Sequence, residues 1–472
     1  MSIKHIFLYV LDSLRADHLS CYGYKKNTTP NIDNLAADGV MFKNSFTPST
    51  WTRPVAASLL TGLYPEVIKL QTRFDMFPSF VNSLPEILQK EGFKTSAFTA
   101  MGNVSSETGF DKGFDNFINL YNEPSICALR DKSNALSYKN KREVTMPTAE
   151  DINRFIFPWL EDYVACNSFS FIWAIDTHSP FILPNNDDKK RPSVKRGEGY
   201  KYSQKNKELI VEQYDKVISY ADDCIGLLVQ KLKNLKIYED SMIIITSDHG
   251  EAFNEHGFFS HGNIPYDELI NVPLIIKFPD YIRIRRGENI SELVQLIDLF
   301  STILSVADIK YNTKYIQSKD LLLLIEGKVK ALHRYVYSET QSLPFLKKHF
   351  SVRSQYWKYM YSKSPKWTFK NFFLLMQYII QHRLWSKFLV NPFFLLNRHI
   401  SCRSEQLYFL KRDKKEINNI VNHEKDIAMQ FRNQLSIWRE ANKNLSKDLN
   451  IQQIQLDESK TLQNHLESLG YL

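Results

Sequence analysis

Two carboxylates and an imidazole stand directly after short apolar runs of the sequence. Asp12 follows "IFLYVL", and the pair Asp248 and His249 follows "MIIITS". If these runs are neighbouring strands, the three side chains meet and offer oxygen and nitrogen ligands to a divalent metal ion. Each residue also has a structural interpretation, because an Asp at a strand end often caps a turn or a helix. The pattern predicts a metal site, with those turn and cap roles as the alternative.

Thr52 is a second candidate for chemistry. It stands in "TPSTWTRPVAASLLTGLYPE", two residues before Pro54 and ahead of a helix-like run, Ala56–Leu60, that Gly62 closes. A Thr in this place is either a helix cap or, if a cation lowers the pKa of its hydroxyl, a nucleophile. Backbone N–H groups at a helix N-terminus also favour an anion such as phosphate. The spacing alone leaves both roles open.

The elements that must position these residues can be read from the apolar runs. The runs have the length of buried strands, and helical patterns such as Glu208–Leu235 and Ile290–Val306 lie between them. This alternation predicts an α/β fold with a doubly wound, mostly parallel sheet, in which sites form at the carboxyl ends of the strands. The predicted strands are Ile6–Leu11, Thr95–Thr99, Phe169–Ile175, Met242–Thr246 and Pro273–Phe278, so Asp176 and His178 also follow a strand end.

The pattern changes near residue 330. "RYVYSE" and "SVRSQYWKYMYS" alternate in the manner of antiparallel strands. The 472 residues are enough for one large domain and a smaller one. We therefore predict a catalytic α/β domain over residues 1–330 and a smaller C-terminal α+β subdomain over residues 331–472.

Composition limits the class of protein. The chain is 43% hydrophobic and 24% charged, which is usual for a globular protein, and its net charge of +8 is too mild to argue for a nucleic-acid partner. The five Cys show no CxxC spacing, which favours a reducing compartment. We see no secretory signal and no apolar run long enough to span a bilayer. The predicted location is cytoplasmic.

Residues 363–403 differ from the rest of the chain. They contain seven Lys or Arg and no Asp or Glu, among many aromatic and aliphatic residues. One interpretation is a helical hairpin packed on the domain. The other is an amphipathic surface that binds an anionic membrane or a lipid-linked substrate, which would place the protein at the inner face of the membrane.

Several motifs, in order, resemble the sulfatase branch of the alkaline phosphatase superfamily. The resemblance covers roughly residues 4–362 and 402–440, leaves out the basic aromatic stretch, and implies an alkaline phosphatase/sulfatase-like fold. The matching segments are "VLDSLRADHLSCYGY", "TPNIDNLAADGVMFKNSF", "ASLLTGLYP", "AIDTHSPF", "TSDHGEAFNEHGFFSHG" and "NVPLIIKFP".

The resemblance bears on Thr52. True sulfatases carry a Cys or Ser that is oxidised to formylglycine within a Cys/Ser-x-Pro-x-Arg signature, and the aligned residues here are Thr52, Pro54 and Ala56. The β-methyl group of Thr prevents that oxidation, and Ala56 replaces the signature Arg. The resemblance thus implies that Thr52 acts as an unmodified alkoxide, as in relatives such as lipoteichoic acid synthases and nucleotide phosphodiesterases.

The same resemblance implies the metal ligands. Asp12, Asp248 and His249 match the family's ligand positions, and the Thr52 oxygen would be the fourth ligand. Ser13 stands where arylsulfatases usually carry a second acid, which weakens the case for Ca²⁺. An imidazole ligand favours Zn²⁺ or Mn²⁺, while Mg²⁺ or Ca²⁺ stays an alternative. We expect one divalent metal ion.

Two further His residues match substrate-contacting positions of the family. His178, in "DTHSP", matches a residue that touches the substrate ester, and His261, in "FSHG", falls where sulfatases often have Lys. Either imidazole is able to protonate the leaving oxygen, and a structural role is the alternative for both, a turn cap in the case of His178. A second metal lacks an obvious ligand set, so Asp176 is at most a substrate contact.

The predicted function is metal-dependent hydrolysis or transfer at a phosphate ester, preferably a diester, through a covalent intermediate on Thr52. One alternative is a sulfuric ester hydrolase that works without formylglycine. Another is a non-catalytic binding protein that kept the fold. The expected partner is an anionic ester, glycan-linked or lipid-linked, and the sequence leaves the oligomeric state open.

Overall fold

A computed structural model gives the structure of the protein for residues 5–79, 81–126, 146–183, 197–198, 202–262, 264–365, 368–381, 404–456 and 458–469. The strands in chain order are β1 (His5–Leu11), β2 (Val40–Phe46), β3 (Lys94–Thr99), β4 (Asn116–Asn119), β5 (Ser168–Ala174), β6 (Gly197–Glu198), β7 (Ser241–Thr246), β8 (Ala252–Phe253), β9 (Phe258–Ser260), β10 (Leu274–Lys277), β11 (Glu288–Gln295), β12 (Val336–Thr340), β13 (Lys348–Arg353), β14 (Trp357–Lys363) and β15 (Glu405–Phe409).

The α-helices connect and cover these strands. In chain order they are α1 (Pro30–Asp38), α2 (Thr52–Thr61), α3 (Pro65–Ile68), α4 (Leu84–Lys90), α5 (Ala149–Asp162), α6 (Gln204–Asn234), α7 (Asp267–Ile270), α8 (Asp298–Val306), α9 (Leu322–Ile325), α10 (Phe369–Gln381), α11 (Lys425–Asp448) and α12 (Lys460–Ser468). No helix in these described ranges is long and apolar enough to cross a membrane.

An eight-stranded sheet organises the larger part of the chain. Its order is β11-β2-β10-β7-β1-β5-β3-β4, and apart from β10, which runs antiparallel to both neighbours, adjacent strands are parallel. The central strand β1 is buried throughout, as its continuous apolar sequence predicts. The prediction of a doubly wound, mostly parallel sheet is therefore confirmed.

The register of the central strands brings the candidate residues together. Leu11, the last residue of β1, pairs with Ala174 of β5, and Val10 pairs with Thr246 of β7. The residues that follow these three strands consequently leave the sheet at the same edge. This edge carries the polar segments around residues 12, 176 and 248.

One predicted helix is partly wrong. The sequence indicated a helix over Ile290–Val306, but Glu288–Gln295 forms β11, which runs parallel to β2 at the edge of the sheet. The helix α8 begins at Asp298, whose carboxylate accepts a hydrogen bond from the Gln295 N–H at 2.9 Å. A short apolar run fits both periodicities, and pairing with β2 decided for the strand.

A second sheet of four antiparallel strands, in the order β12-β13-β14-β15, forms the C-terminal α+β part. Its apolar face packs against α11 through residues such as Phe350, Phe431 and Trp438. The Trp438 ring also stacks on Tyr337 and meets Tyr64 edge-on, with ring centroids 4.7 and 5.0 Å away. This confirms the smaller α+β subdomain, whereas the boundary at residue 330 stays a prediction.

The basic aromatic stretch 363–403 lies only partly within the described residues. Its described helix α10 packs Leu375 and Ile379 into a small apolar cluster with Phe345 and neighbouring side chains. Phe369, Phe372 and Phe373 of the same helix are exposed, at 88%, 53% and 55%. Residues 382–403, on which most of the sequence argument rests, lie outside the described residues.

Candidate active site and metal centre

The Asp12 carboxylate is held by hydrogen bonds from three directions. Its Oδ2 accepts from Trp173 Nε1 at 3.1 Å and from Thr52 Oγ1 at 3.2 Å, and its Oδ1 accepts from Ser13 Oγ at 2.9 Å. Ser13 has a φ of 66°, in the left-handed region, and its backbone N–H donates to Asp248 Oδ1 at 3.1 Å. One turn after β1 therefore orients both carboxylates.

Asp248 and His249 complete this cluster from the end of β7. Asp248 Oδ1 accepts from the His249 N–H at 2.9 Å, and Asp248 Oδ2 lies 3.2 Å from His249 Nε2. His249 Nδ1 lies 2.9 Å from the Gly250 carbonyl oxygen. Because a carbonyl only accepts, Nδ1 carries the hydrogen in the neutral ring and Nε2 keeps its lone pair. That tautomer is the one a metal-binding Nε2 requires.

The cluster fits a divalent metal ion. Ligand atoms of Asp12, Asp248 and His249 all lie within 4.8 Å of one another, and all three residues are fully buried. Burial, and for Asp12 also the charge of Asp248, raises the pKa of both carboxyls to about 7. Among the described residues, no well-aligned donor reaches the buried Asp248 Oδ2, although the Thr52 hydroxyl is near enough to lower the pKa of this carboxyl. Two buried carboxylates with a spare acceptor are costly without a cation, which supports the predicted site.

Thr52 is the first residue of α2 and not its N-cap. The N-cap is Trp51, with no side-chain capping hydrogen bond. The Thr52 hydroxyl donates instead to Asp12, and its Oγ1 lies 3.5 Å from His249 Nε2. The structure thus brings Thr52 together with all three predicted metal ligands, at the N-terminus of a helix.

Three imidazoles lie side by side at the site. The His261 ring centroid is 4.2 Å from that of His249 and 5.0 Å from that of His178. His178 Nδ1 lies 2.7 Å from the Ser179 carbonyl oxygen, which fixes the ring, and His261 Nδ1 lies 3.4 Å from Glu251 Oε2. Both predicted substrate-contacting His residues therefore adjoin the metal cluster, and their roles stay predictions.

The Asp176 carboxylate contacts the N-terminus of helix α5. Both of its carboxylate oxygens accept from the Ala149 N–H, at 2.9 and 3.2 Å, at the start of α5. The structure explains Asp176 through this contact.

The sequence did not reveal Trp173 or Arg53 as part of this region. Trp173 is fully buried in β5, and a buried indole N–H needs an acceptor, which was the available signal. Arg53 follows Thr52, is fully buried, and donates to the Arg73 and Asp75 carbonyl oxygens and to Asn103 Oδ1. Arg53 thereby joins the start of α2 to two loops that no local pattern predicts.

Replacing Trp173 with Phe tests how much the indole N–H orients Asp12. The ring would still fill most of the space, but Asp12 Oδ2 would lose one of its two donors. We expect metal affinity to fall by about tenfold or more, as measured by calorimetric titration. Trp159→Phe, in α5, is the matched control and should keep wild-type affinity. Equal affinities in Trp173→Phe and wild type would rule out this role.

The fold and the site together define a class of protein. A mostly parallel α/β sheet that carries a buried Asp-Asp-His cluster and a hydroxyl at a helix N-terminus is the arrangement of alkaline phosphatase-like hydrolases. The family model described as sulfatase matches residues 4–309, and the model for the C-terminal part of N-sulphoglucosamine sulphohydrolase matches residues 254–376. The chain belongs to the sulfatase family, in the alkaline phosphatase superfamily.

Individual relatives have low sequence identity to this chain, but the matches cover most of both chains. The N-acetylglucosamine-6-O-sulfatase of Bacteroides thetaiotaomicron is 24% identical over 77% of this chain and 79% of its own length. The N-acetylgalactosamine-6-sulfatase of Rattus norvegicus is 24% identical over 68% of this chain and 66% of its own length. The solved phosphonate monoester hydrolase of Agrobacterium radiobacter superposes with a TM-score of 0.73 at 16% identity, covering 93% of this chain and 96% of that one. The likeness to that structure supports the fold.

Proposed function

We propose that the protein is a metal-dependent hydrolase or transferase that cleaves a phosphate ester, preferably a diester, with Thr52 as the nucleophile. The observation that carries this proposal is the position of the Thr52 hydroxyl. It lies at the N-terminus of α2, 3.2 Å from Asp12 Oδ2 and 3.5 Å from His249 Nε2. A hydroxyl oxygen beside a metal-ligand cluster and a helix N-terminus is suited to attack an anionic ester bound there, which supports the proposal.

The residues then act in sequence. Thr52 Oγ1 attacks phosphorus, the bond from phosphorus to the leaving oxygen breaks, and the hydroxyl proton passes to Asp12, to which it already donates. His178 or His261 gives a proton to the leaving oxygen. Water or an acceptor alcohol then attacks the phosphorus and gives its proton to the His residue that protonated the leaving oxygen. The bond from phosphorus to Thr52 Oγ1 breaks, and Asp12 returns its proton to Thr52. A divalent cation held by Asp12, Asp248, His249 and Thr52 would lower the pKa of the hydroxyl and balance the ester's charge.

We prefer a phosphate ester to a sulfate ester as the substrate because residue 52 is a Thr. Formylglycine, the sulfatase group, is not accessible from Thr, so a covalent intermediate on this side chain has to be resolved by attack on the phosphorus or sulfur atom. The phosphoryl-transferring relatives in the superfamily work with such an unmodified hydroxyl. The second candidate is a sulfuric ester hydrolase without formylglycine, and it is favoured by the names of the relatives, which are mostly sulfatases.

A panel of substrates tests the proposal. Purified protein with Zn²⁺, Mn²⁺, Mg²⁺ or Ca²⁺ would be offered aryl phosphate monoesters, aryl phosphate diesters and aryl sulfates. We expect the diester to give the highest kcat/KM. Highest turnover of the sulfate would favour the second candidate. Metal binding without turnover of any ester would favour a binding protein.

We also propose that the stretch 363–403 contacts an anionic membrane at the cytoplasmic face, which would present a lipid-linked substrate. Its seven cations and no acids supply the charge, at roughly 1 kcal/mol for each residue near the surface. The three exposed Phe residues of α10 are spaced i, i+3, i+4, so they share one face of the helix. Their rings would enter the headgroup region.

Sedimentation with vesicles tests this membrane contact. The wild type is expected to sediment with phosphatidylglycerol vesicles at low salt and to be released by high salt, because exposed charges are screened. Phe372→Ser with Phe373→Ser should sediment several-fold less while staying folded, since both side chains are exposed. Ile437→Ser, at an exposed site on α11, is the control and should sediment normally. If the wild type stays in the supernatant at low salt, the proposed membrane contact is wrong.

A further inference from the structure

Both ring nitrogens of His256 face hydrogen-bond acceptors. Its Nδ1 is 2.7 Å from Glu268 Oε1, and its Nε2 is 3.0 Å from the Lys415 carbonyl oxygen and 3.2 Å from that of Glu416. A neutral imidazole has one N–H, so only one of its two nitrogens can donate a hydrogen bond. The other nitrogen would then face an acceptor oxygen, lone pair against lone pair, which is unfavourable. Only the imidazolium donates to both. With Glu268 ionised, the geometry therefore favours a positive charge on His256.

The charges around His256 lead to the same conclusion. Glu268 and Asp267 face it from α7, and Glu416 faces it from the turn after β15. Lys358 Nζ lies 2.8 Å from Asp267 Oδ1 and 2.7 Å from Glu416 Oε1, and an Arg353 nitrogen lies 2.7 Å from Asp267 Oδ2. Three carboxylates face two permanent cations. When Glu416 is ionised, a charged His256 makes this group neutral. Burial raises the pKa of Glu416 to about 7, so this balance of charge holds above about that pH.

Aromatic packing and the pKa agree with this charge. The Tyr266 ring lies parallel to the imidazole with 3.6 Å between ring centroids, a geometry that favours a cation over a π face. Burial by itself lowers the pKa of His256, but the hydrogen bond and charge of Glu268 outweigh it, so the pKa lies above its ordinary value.

Because of where His256 lies in the chain, its charge bears on the position of residues next to the metal ligands. Residues 251–266, here called the post-metal segment, begin two residues after His249 and carry both Glu251 and His261. Within the segment β8 pairs with β9, so the two strands form one hairpin. His256 sits at the turn between them and bonds to the C-terminal subdomain at Lys415 and Glu416.

We propose that His256 is a positioning residue whose protonated imidazole fastens the post-metal segment to the C-terminal subdomain and so holds His261 beside the metal cluster in a pH-dependent manner. The effect on stability follows from linkage. A folded-state pKa above the unfolded value stabilises the protein fully below about pH 6.5, and the stabilisation disappears as pH rises through the folded pKa. The effect on catalysis rests on the proposed function.

Thermal unfolding between about pH 6 and about pH 9 tests the fastening without any substrate. With saturating Mn²⁺ present, His256→Gln should unfold a few degrees below wild type at the acid end, and the difference should vanish at the alkaline end. His423→Gln, which removes an exposed His, should follow wild type at every pH. A difference between His256→Gln and wild type that is the same at all pH values would overturn the charged fastening. If His256→Gln does not fold, Glu268→Gln should lose the same pH dependence.

Kinetics test the positioning role. On an ester that the wild type turns over, we expect the wild-type kcat to fall as pH rises and His256 loses its charge. His256→Gln should lower kcat severalfold near pH 6 with bound metal unchanged, and its kcat should vary less with pH. An unchanged kcat profile, together with the pH-dependent stability difference, would overturn the positioning role. If no ester is turned over, the proposed function fails while the unfolding comparison still decides whether His256 is charged.

Discussion

Thr52→Ala is expected to lower kcat by more than about a thousandfold, which corresponds to about 4 kcal/mol of transition-state stabilisation. The substitution removes the oxygen that would attack the ester, and water does not readily replace an activated nucleophile. Metal binding should persist through Asp12, Asp248 and His249. Steady-state kinetics and metal analysis of the same preparation measure both effects.

Two companion variants separate chemistry from helix stability. Thr52→Ser keeps a hydroxyl at the same place and should retain part of the activity. Thr61→Ala changes a Thr at the other end of α2, where the hydroxyl donates to the Ala57 carbonyl oxygen, and should remain fully active. A Thr52→Ala protein that keeps its rate, or three variants that behave alike, would contradict the nucleophile assignment.

Removal of the metal or of a ligand is expected to have the next largest effect. A chelator should abolish turnover, and Asp248→Asn or His249→Ala should lower bound metal below one ion per chain. The reason is that each variant removes a negative charge or a lone pair from a fully buried ligand set. Elemental analysis after dialysis, paired with activity, is the measurement.

A buried Asp away from the site provides the control for this prediction. Asp222 is fully buried in α6 and accepts from the backbone N–H groups of Asn31 and Ile32 at 2.9 and 2.8 Å. Asp222→Asn disturbs a buried carboxylate without touching the ligand cluster, so its metal content should equal that of wild type. Metal-free protein with full activity would refute the one-metal mechanism.

Short buried strands and the residues after them were the predictable part of this molecule. A run such as Ile6–Leu11 has the length of a buried strand and is too apolar for a surface helix, so it predicted a buried strand with Asp12 at its end. The alternation of strands and helices then placed Asp248 and His249 at the same edge of the sheet. The motifs and their order also predicted the family, which the comparisons confirm.

The contacts that orient the site could not be predicted from the sequence, because they join residues far apart in the chain. Trp173 reaches Asp12 only because β5 is the neighbour of β1, and strand order is not encoded locally. Ser13 orients both carboxylates through a left-handed backbone conformation that Ser seldom adopts. Two of the acceptors that face His256, the carbonyl oxygens of Lys415 and Glu416, lie 159 and 160 residues further along the chain. The error at Ile290–Val306 has the same origin, because pairing with β2 overrode the helical periodicity.

The stereochemical course at phosphorus tests the central claim most directly. The measurement uses an aryl phosphodiester made chiral at phosphorus by sulfur and an oxygen isotope, turned over by the wild-type holoenzyme. Attack by Thr52 followed by attack of water comprises two in-line displacements, each of which inverts the phosphorus. The account therefore predicts net retention of configuration. Net inversion would mean that water attacks the ester in a single step, and Thr52 would not be the nucleophile.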